Sequence, residues 1–434
     1  MKSNMTSPFS QNGVPTLAIL GAGSRGGRYG EYVAEHPEVG KVVAVAEPRE
    51  PQRTATARLH GIPEANVFAD ERDLLAQPRL ADAVIIATTE RRHEWAAVRA
   101  AELGYHILIE KPMASTVEEC IRITNAARDN KVLLTVCHVL RYAPFYRKVK
   151  ELLDEGRIGD LCAVQYLEGI AWWHYAHAFV RGNFANEARS SFLLLAKCCH
   201  DTDMLRWWVG KPCRRVASFG HLKHFRAENK PAQAADRCLD CVLADGDCPY
   251  SAKTFYFDRL RQGMWGWPLA VVVDEFTESA LEAALRTGPY GKCVYACDND
   301  VMDSQHVALE FDGNVSVSLT LSAFTPHGRR VRLMGSRGYL EGDGKILRWL
   351  DFLSGEEQTY DVNREVEDAA GGHGGGDSGL MRAFLAALQA GNADLIATGP
   401  EVSLESHLIA FAAERARREG RVVDLHEMGK GRWK

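Results

Sequence analysis

The chain of 434 residues has no uninterrupted apolar run approaching the ~20 residues that a membrane-spanning helix requires. Its opening stretch, MKSNMTSPFSQNG, is polar and lacks the apolar segment of a secretion signal, so neither export nor a membrane partner is expected. An excess of one charge is lacking too. The 52 lysines and arginines stand against 57 aspartates and glutamates, a net charge of −5 with no basic block, which removes the electrostatic case for a nucleic-acid partner. Cysteine is present in an odd number, 11, and several cysteines lie on strand-like or helix-like segments. That pattern points to free thiols or a metal site in a reducing compartment, hence the cytoplasm, and away from a disulfide framework. With 46% hydrophobic and 25% charged residues, what remains is a globular protein of two or three domains.

The first ordered signal is a short apolar strand, Thr16–Leu20, running into GAGSRG. Gly21, Gly23 and Gly26 have the G-x-G-x-x-G spacing, Ser24 and Arg25 lie between them, and a helical pattern follows. The first glycine allows a tight turn, the second lets backbone approach a pyrophosphate, and the third lets helix pack on strand. The phosphates then meet free N–H groups at a helix N-terminus. A second strand, Lys41–Ala46, ends in Glu47, placed to take ribose hydroxyls and to repel a 2′-phosphate, so NAD is expected over NADP; Arg49 moderates that preference. Strands at Ala83–Ala87, Tyr105–Ile109 and Val132–Cys137 alternate with helices at Pro51–Leu59, His93–Leu103 and Thr116–Arg128. Such alternation implies a parallel, doubly wound sheet with ligands at the carboxyl ends of its strands. The polar groups at those ends are Thr88, Thr89 and His93, then Glu110, Lys111 and Pro112, then His138 and Arg141.

The second half alternates less regularly. Ser191–Gly210 places Lys197, His200, Asp201 and Asp203 on an otherwise apolar helix. Polar groups there either satisfy one another in a buried network or line a pocket. The stretch 171–184 is rich in aromatics and carries His174, His177 and Arg181; it reads as a substrate-facing wall. A polar insertion at about 225–263 holds Cys238, Cys241 and Cys248. A loop this polar cannot bury enough apolar area to order itself, so a structural zinc is expected, with Cys293 or Cys297 as fourth ligand and His224 behind them. Strands 305–311, 314–322 and 329–335 read as a meander through G-N and H-G turns. The Gly-rich run 366–378 reads as flexible, though His373 could swing into the cleft, with Asp377 or Ser378 capping the helix Leu380–Ala390. A last helix, Ser403–Arg418, stops at Gly420.

GAGSRG at 21–26, E-K-P at 110–112, HVLRYAPFYRKVKELLDEGRIGDL at 138–161, the helix bearing His200 and Asp203, and VRLMGSRGYLEGD at 331–343 together resemble the Gfo/Idh/MocA family of NAD(P)-dependent oxidoreductases. The resemblance spans about Val14 to Leu425. It implies an α/β chain with an N-terminal Rossmann domain (residues 1–140) and a C-terminal α/β domain (141–434) that carries a large, mostly antiparallel sheet and the Cys-rich insertion. It also implies a homo-oligomer, NAD as cofactor, and a sugar or glycoside as substrate. Lys111 would lie at the nicotinamide, and His200 would act as acid/base on a sugar hydroxyl. Glu110, Thr88 and His93 fall with the cofactor site; Arg141 and Asp203 fall with the substrate. One position departs from the family, which commonly carries an aspartate four residues before this histidine. Here that position is Ala196, followed by Lys197, a cation suited to an anionic sugar. The expected activity is hydride transfer at a hydroxyl carbon. A second reading, implied by relatives that are NAD-dependent glycoside hydrolases, including ones acting on sulfoquinovosides, is redox-neutral: oxidation at C3, elimination, water addition and re-reduction. It needs a base near C2, for which Tyr142, His174 and His177 are candidates, with Lys197 and Arg181 holding an anionic group. A non-catalytic NAD-binding sensor is a third.

Overall fold

The computed structural model describes residues 13–326, 328–362 and 373–429. The strands β1 (Thr16–Leu20), β2 (Lys41–Ala46), β3 (Val67–Phe68), β4 (Ala83–Ile86), β5 (His106–Ile109) and β6 (Leu134–Val136) form one sheet in the order β3-β2-β1-β4-β5-β6. Every pairing in it is parallel. All residues of β4, β5 and β6 are buried, as in a sheet covered on both faces. The expected strand–helix alternation is therefore present. Its carboxyl ends gather Gly21, Glu47, Thr88, Glu110–Lys111 and His138 along one edge.

The second sheet contains β7 (Leu161–Gly169), β8 (Cys213–His221), β9 (Ser304–Phe311), β10 (Val315–Ser322), β11 (Gly328–Gly335), β12 (Gly338–Gly342), β13 (Ile346–Asp351), β14 (Glu357–Asp361) and β15 (Val423–Asp424). Its order is β14-β13-β12-β11-β7-β10-β9-β8-β15. All pairs are antiparallel except β7 with β10. The meander expected for 305–335 is thus only half present. β9 and β10 form a hairpin, but β7 lies between β10 and β11. Alternation along β10 buries Val315, Val317, Leu319 and Leu321 on one face. Helices Leu193–Val209 and Pro400–Glu419 pack against that face and against each other.

Between β8 and β9 the chain leaves the sheet for an excursion longer than the expected insertion. Helices Ala252–Arg261 and Glu278–Thr287 give it a core of its own, in which Cys238, Tyr256, Leu260, Leu269, Leu281 and Leu285 are buried. Apolar packing therefore orders this segment, contrary to the premise of the zinc expectation. Helix Gly376–Ala390 returns to the first sheet. Leu380, Phe384, Leu385 and Leu388, each 0–1% exposed, join Leu17, Ile19 and Val45 in one core. Burying a side chain of this size contributes about 1.5–3 kcal/mol. Asp377 and Ser378 do not cap this helix; Gly375 does, in the left-handed region, and Asp377 sits inside the first turn. Helix Pro400–Glu419 ends on left-handed Gly420, as expected. No helix among the described residues is long and apolar enough to cross a membrane.

Candidate active site

β1 delivers the chain into the glycine loop, and helix Ser24–Glu35 follows. A Cβ on Gly26 would lie 1.9 Å from the Gly21 carbonyl oxygen, so only glycine allows the helix to pack this closely on the turn. The helix starts at Gly23 without a side-chain cap, leaving its first N–H groups for an outside acceptor. Ser24 is exposed at this start. Buried Glu47 accepts from the Ala22 N–H at 2.8 Å, and from the Arg49 N–H and Nε at 3.1 and 2.8 Å. The Thr88 hydroxyl, at the end of β4, is buried without a partner. An uncapped helix end, an acidic residue held at the end of β2 and an orphaned hydroxyl fit a dinucleotide.

Other residues assigned to the cofactor hold the loop rather than present themselves to it. Arg25 donates from Nε to Glu110 at 2.7 Å, from Nη2 to Tyr29 at 2.6 Å, and from Nη2 and Nη1 to the two Asp377 oxygens at 2.7 and 3.1 Å. Burial alone would raise the Glu110 carboxyl, but Arg25, Lys111 and the Tyr29 hydroxyl outweigh it and hold it low. Buried His93 bridges the carbonyls of Thr88 and Pro112 at 3.1 and 3.0 Å, tying the end of β4 to the E-K-P turn.

That turn aims Lys111 across to the other domain. Its Nζ donates to the Ala196 carbonyl at 3.0 Å, one turn before His200 on helix Leu193–Val209. His200 is 5% exposed and its Nδ1 is buried without a partner. Burial, together with Lys111, His138, His373 and Arg329, pushes its imidazole well below the ordinary histidine range, so it stands neutral and able to accept a proton.

The remaining ionic groups of this helix pair internally. Arg141 and Asp203 share two hydrogen bonds, at 2.7 and 2.8 Å, and Arg141 also donates to the Ala397 carbonyl at 2.9 Å. Both are buried, so this pair fixes the 139–142 turn to the helix. Tyr142 is engaged by Thr398 at 3.2 Å and by the Ala397 N–H at 3.1 Å, and burial raises its phenol. Lys197 meets Glu168 at 3.2 Å; Arg329 bonds Glu168 and Asp201 at 2.9 and 2.6 Å; Tyr166 donates to Asp201 at 2.7 Å. Two cations face two carboxylates, so Lys197 brings no uncompensated charge.

The aromatic stretch is not a loop. Trp172–Tyr175 is a helical turn and Ala176–Arg181 a π-helical one. His174 packs against Trp267 and Trp173. His177 bonds the Tyr256 hydroxyl at 2.6 Å, and burial pushes its imidazole down to about 3. Arg181 donates to the carbonyls of Lys292 and Tyr250, both at 2.7 Å, and to Cys238 Sγ at 3.4 Å. His177 and Arg181 therefore anchor the excursion instead of joining His200. Cys238, Cys241, Cys248 and Cys293 do line one cavity of about 70 Å³. All four are free thiols, and among the described residues no group of three or more His, Cys, Asp or Glu is arranged to hold a metal ion. The structure lends the zinc expectation no support: Arg181 reaches Cys238, and an apolar core orders the segment.

Two histidines stand beside His200 instead, with a third behind one of them. His138 lies 5.9 Å from it, ring centre to ring centre, and His373 lies 6.0 Å away; His407 is 5.3 Å beyond His138. Sequence reasoning placed His138 at a strand end and left His373 in a flexible run. His407 had no signal, being one of many polar residues on helix Pro400–Glu419.

Two family profiles cover most of the chain. One, described as the oxidoreductase family with NAD-binding Rossmann fold, matches residues 16–138; the other, described as its C-terminal alpha/beta domain, matches residues 150–425. The Bacillus subtilis (strain 168) protein YteT, whose name marks it as an oxidoreductase, is 25% identical over 405 residues, 87% of this chain and 90% of its own length. Inositol 2-dehydrogenase 2 of Saccharopolyspora erythraea is 28% identical over 197 residues, 45% of this chain and 54% of that protein. Among solved structures, an oxidoreductase domain protein from Kribbella flavida superposes with a TM-score of 0.69 at 15% identity, covering 95% of this chain and 99% of that one. An Agrobacterium radiobacter oxidoreductase in complex with NAD+, L-tartaric acid and magnesium gives 0.68 at 14%, covering 96% and 100%. With both profiles matched in order, on a six-stranded parallel sheet followed by a nine-stranded mixed one, the chain belongs to the Gfo/Idh/MocA oxidoreductase family and carries that family's NAD-binding Rossmann domain.

Proposed function

We propose that this protein is an NAD-dependent dehydrogenase acting at a hydroxyl carbon of a small, uncharged sugar or polyol. The observation that carries the reading is the meeting of Lys111 and His200. A lysine from the carboxyl end of β5 reaches the helix of the other domain one turn from a buried, neutral imidazole. His200 takes the hydroxyl proton as general base, a role that contributes about 10²–10⁴-fold. Lys111 places its ammonium where alkoxide charge develops. The loop 21–26 and Glu47 hold the pyrophosphate and ribose ends of the cofactor. Bound NAD supplies the hydride acceptor. A neutral substrate is favoured because Lys197 is already met by Glu168. The relatives named inositol 2-dehydrogenase and 1,5-anhydro-D-fructose reductase support the same class.

The test is a panel of inositols, aldoses and aryl glycosides, neutral and sulfonated, assayed with and without added NAD while NADH and released phenol are followed together. NADH formed in step with oxidation of a neutral sugar or polyol is the expected result. Phenol released without net NADH would replace this reading by the redox-neutral hydrolase. Silence in both channels, with NAD bound, would replace it by a sensor.

A further inference from the structure

We infer that His373, held by Asp377, is the relay that carries the substrate's hydroxyl proton from His200 to solvent. The inference rests on His200 being the acid–base group of the proposed oxidation. That reaction removes a hydride to the dinucleotide and a proton to His200. The products are the carbonyl compound, the reduced dinucleotide and one proton, which must leave a histidine that is 5% exposed before the next turnover.

Four charged or titratable groups face His200 from the elements packed around it: Lys111, His138, Arg329 and His373. Lys111 is an ammonium engaged with a carbonyl, and a charged lysine accepts no proton. Arg329 is a guanidinium between Asp201 and Glu168. His138 is wholly buried, neither of its nitrogens has a partner, and its further neighbour is His407. His407 is also wholly buried; its Nε2 accepts from the Met113 N–H at 2.8 Å and its Nδ1 donates to the Ser403 carbonyl at 2.7 Å. That branch ends inside the protein.

His373 differs on each count. Its side chain is 40% exposed, and its ring is 6.0 Å from that of His200, a gap that one water can bridge. Its Nδ1 is 3.0 Å from Asp377 Oδ1. A carboxylate on Nδ1 fixes the tautomer with the proton there, leaves Nε2 as the acceptor, and stabilises the imidazolium when it forms. Burial alone would raise the Asp377 carboxyl, but hydrogen bonds from His373 and Arg25 hold it well below the usual range, so it stays ionised. The carboxylate is in turn keyed to the site. Arg25 bonds Asp377 and Glu110, and Glu110 accepts the Lys111 N–H at 2.9 Å. The backbone is set for the purpose as well. His373 has φ of +53°, a left-handed conformation uncommon outside glycine, and a Cβ on Gly376 would lie 2.4 Å from the Val139 carbonyl. The H-G-G-G-D run is therefore a fitted turn that presents an imidazole to His200.

The proton passes from the substrate O–H to His200, from His200 to Nε2 of His373, and from there to water. Nothing else is oxidised or reduced. The test uses His373→Asn and Asp377→Asn in the full chain, with NAD binding and denaturation midpoints as folding controls and His373→Gln as a second variant. For His373→Asn we expect kcat to fall at least about tenfold, less than the ~10²–10⁴ of a directly transferring group. Added imidazole should restore it in a saturable way, while the wild type should ignore imidazole. Histidine ring resonances, titrated by NMR with NAD bound, give a readout that needs no turnover. The His200 ring signals should change in His373→Asn and in Asp377→Asn, as they must if His373 is coupled to His200. Unchanged kcat with no imidazole dependence, or a His200 signal blind to His373, overturns the relay. A wild type that oxidises no member of the panel refutes the dehydrogenase reading instead, and the NMR coupling then decides the relay alone.

Discussion

Lys111 donates through Nζ to the carbonyl oxygen of Ala196, 3.0 Å away, one turn before His200. The lysine head group is thus hydrogen-bonded by backbone rather than by a carboxylate, and its charge acts on His200. Replacing Lys111 by Met removes a preorganised cation from the reacting oxygen. The expected loss in kcat is about 10²–10³, the magnitude of one oxyanion-stabilising donor, with NAD affinity changed less than about tenfold. Steady-state kinetics and NAD titration separate the two. Equal losses in both would assign Lys111 to cofactor binding.

Several buried histidines make folding stability depend on pH. His106 accepts the Leu133 N–H at Nδ1, and burial drives its imidazole down to about 4; burial drives His407 and His177 down to about 3. Protonating His407 at Nε2 would set a donor against the Met113 N–H. These groups are neutral when folded, while in the unfolded chain they titrate near 6.5. The unfolded state therefore binds more protons below that value. The stability is full above pH ~6.5 and is lost as pH falls towards 4, by about 1.4 kcal/mol per pH unit for each such group. Urea midpoints measured from pH 7.5 to 4.5 should fall, and His106→Gln should flatten the slope. A pH-independent midpoint would contradict the neutral assignments.

The fold was legible from periodicity because the first domain obeys it: each strand of Ala83–Ile86 and His106–Ile109 type is short, apolar and bounded by a helix pattern. Glycine spacing located the dinucleotide loop for the same local reason. What stayed hidden depends on contacts between distant residues. Arg25 looks like a loop cation until Asp377, 352 positions away, is seen beneath it. Lys197 looks like an anion binder until Glu168 is placed against it. The insertion looked too polar to order itself because the helices that supply its core, from Ala252 and Glu278, lay partly beyond the stretch first delimited. In the H-G-G-G-D run, composition suggested flexibility, whereas positive φ at Gly374 and Gly375 and the close approach of Gly376 to the Val139 carbonyl are what demand the glycines.

Arg141 and Asp203 join the turn after β6 to the helix of His200 through a bidentate pair that is wholly out of water. Removing one partner leaves the other as an uncompensated buried charge, at about 3–5 kcal/mol. Asp203→Asn should lower the unfolding free energy by that much, read from denaturant curves, and weaken turnover through the displaced His138 turn. The double change Arg141→Met with Asp203→Leu should recover most of the stability, since well-packed apolar replacements of buried pairs are often neutral. If Asp203→Asn instead raised KM for the sugar with stability intact, the pair would belong to substrate binding.

Glu47 props the glycine loop and, in the proposed function, reads the ribose. One of its oxygens takes the Ala22 N–H, and the other takes the main chain and guanidinium of Arg49. With the carboxylate in place, a 2′-phosphate meets a buried negative charge and an arginine already occupied. Glu47→Ser removes the repulsion and releases Arg49, whose guanidinium lies beside Gly23. The ratio of kcat/KM for NAD over NADP should fall about 10–100-fold, equivalent to about 1.4–2.7 kcal/mol. NAD binding itself should also weaken, because the Ala22 N–H loses its acceptor. Adding Arg49→Ala to Glu47→Ser should abolish the gain for NADP while leaving the loss for NAD, since only the gain needs a cation. A ratio unmoved by Glu47→Ser would place cofactor discrimination elsewhere in the loop.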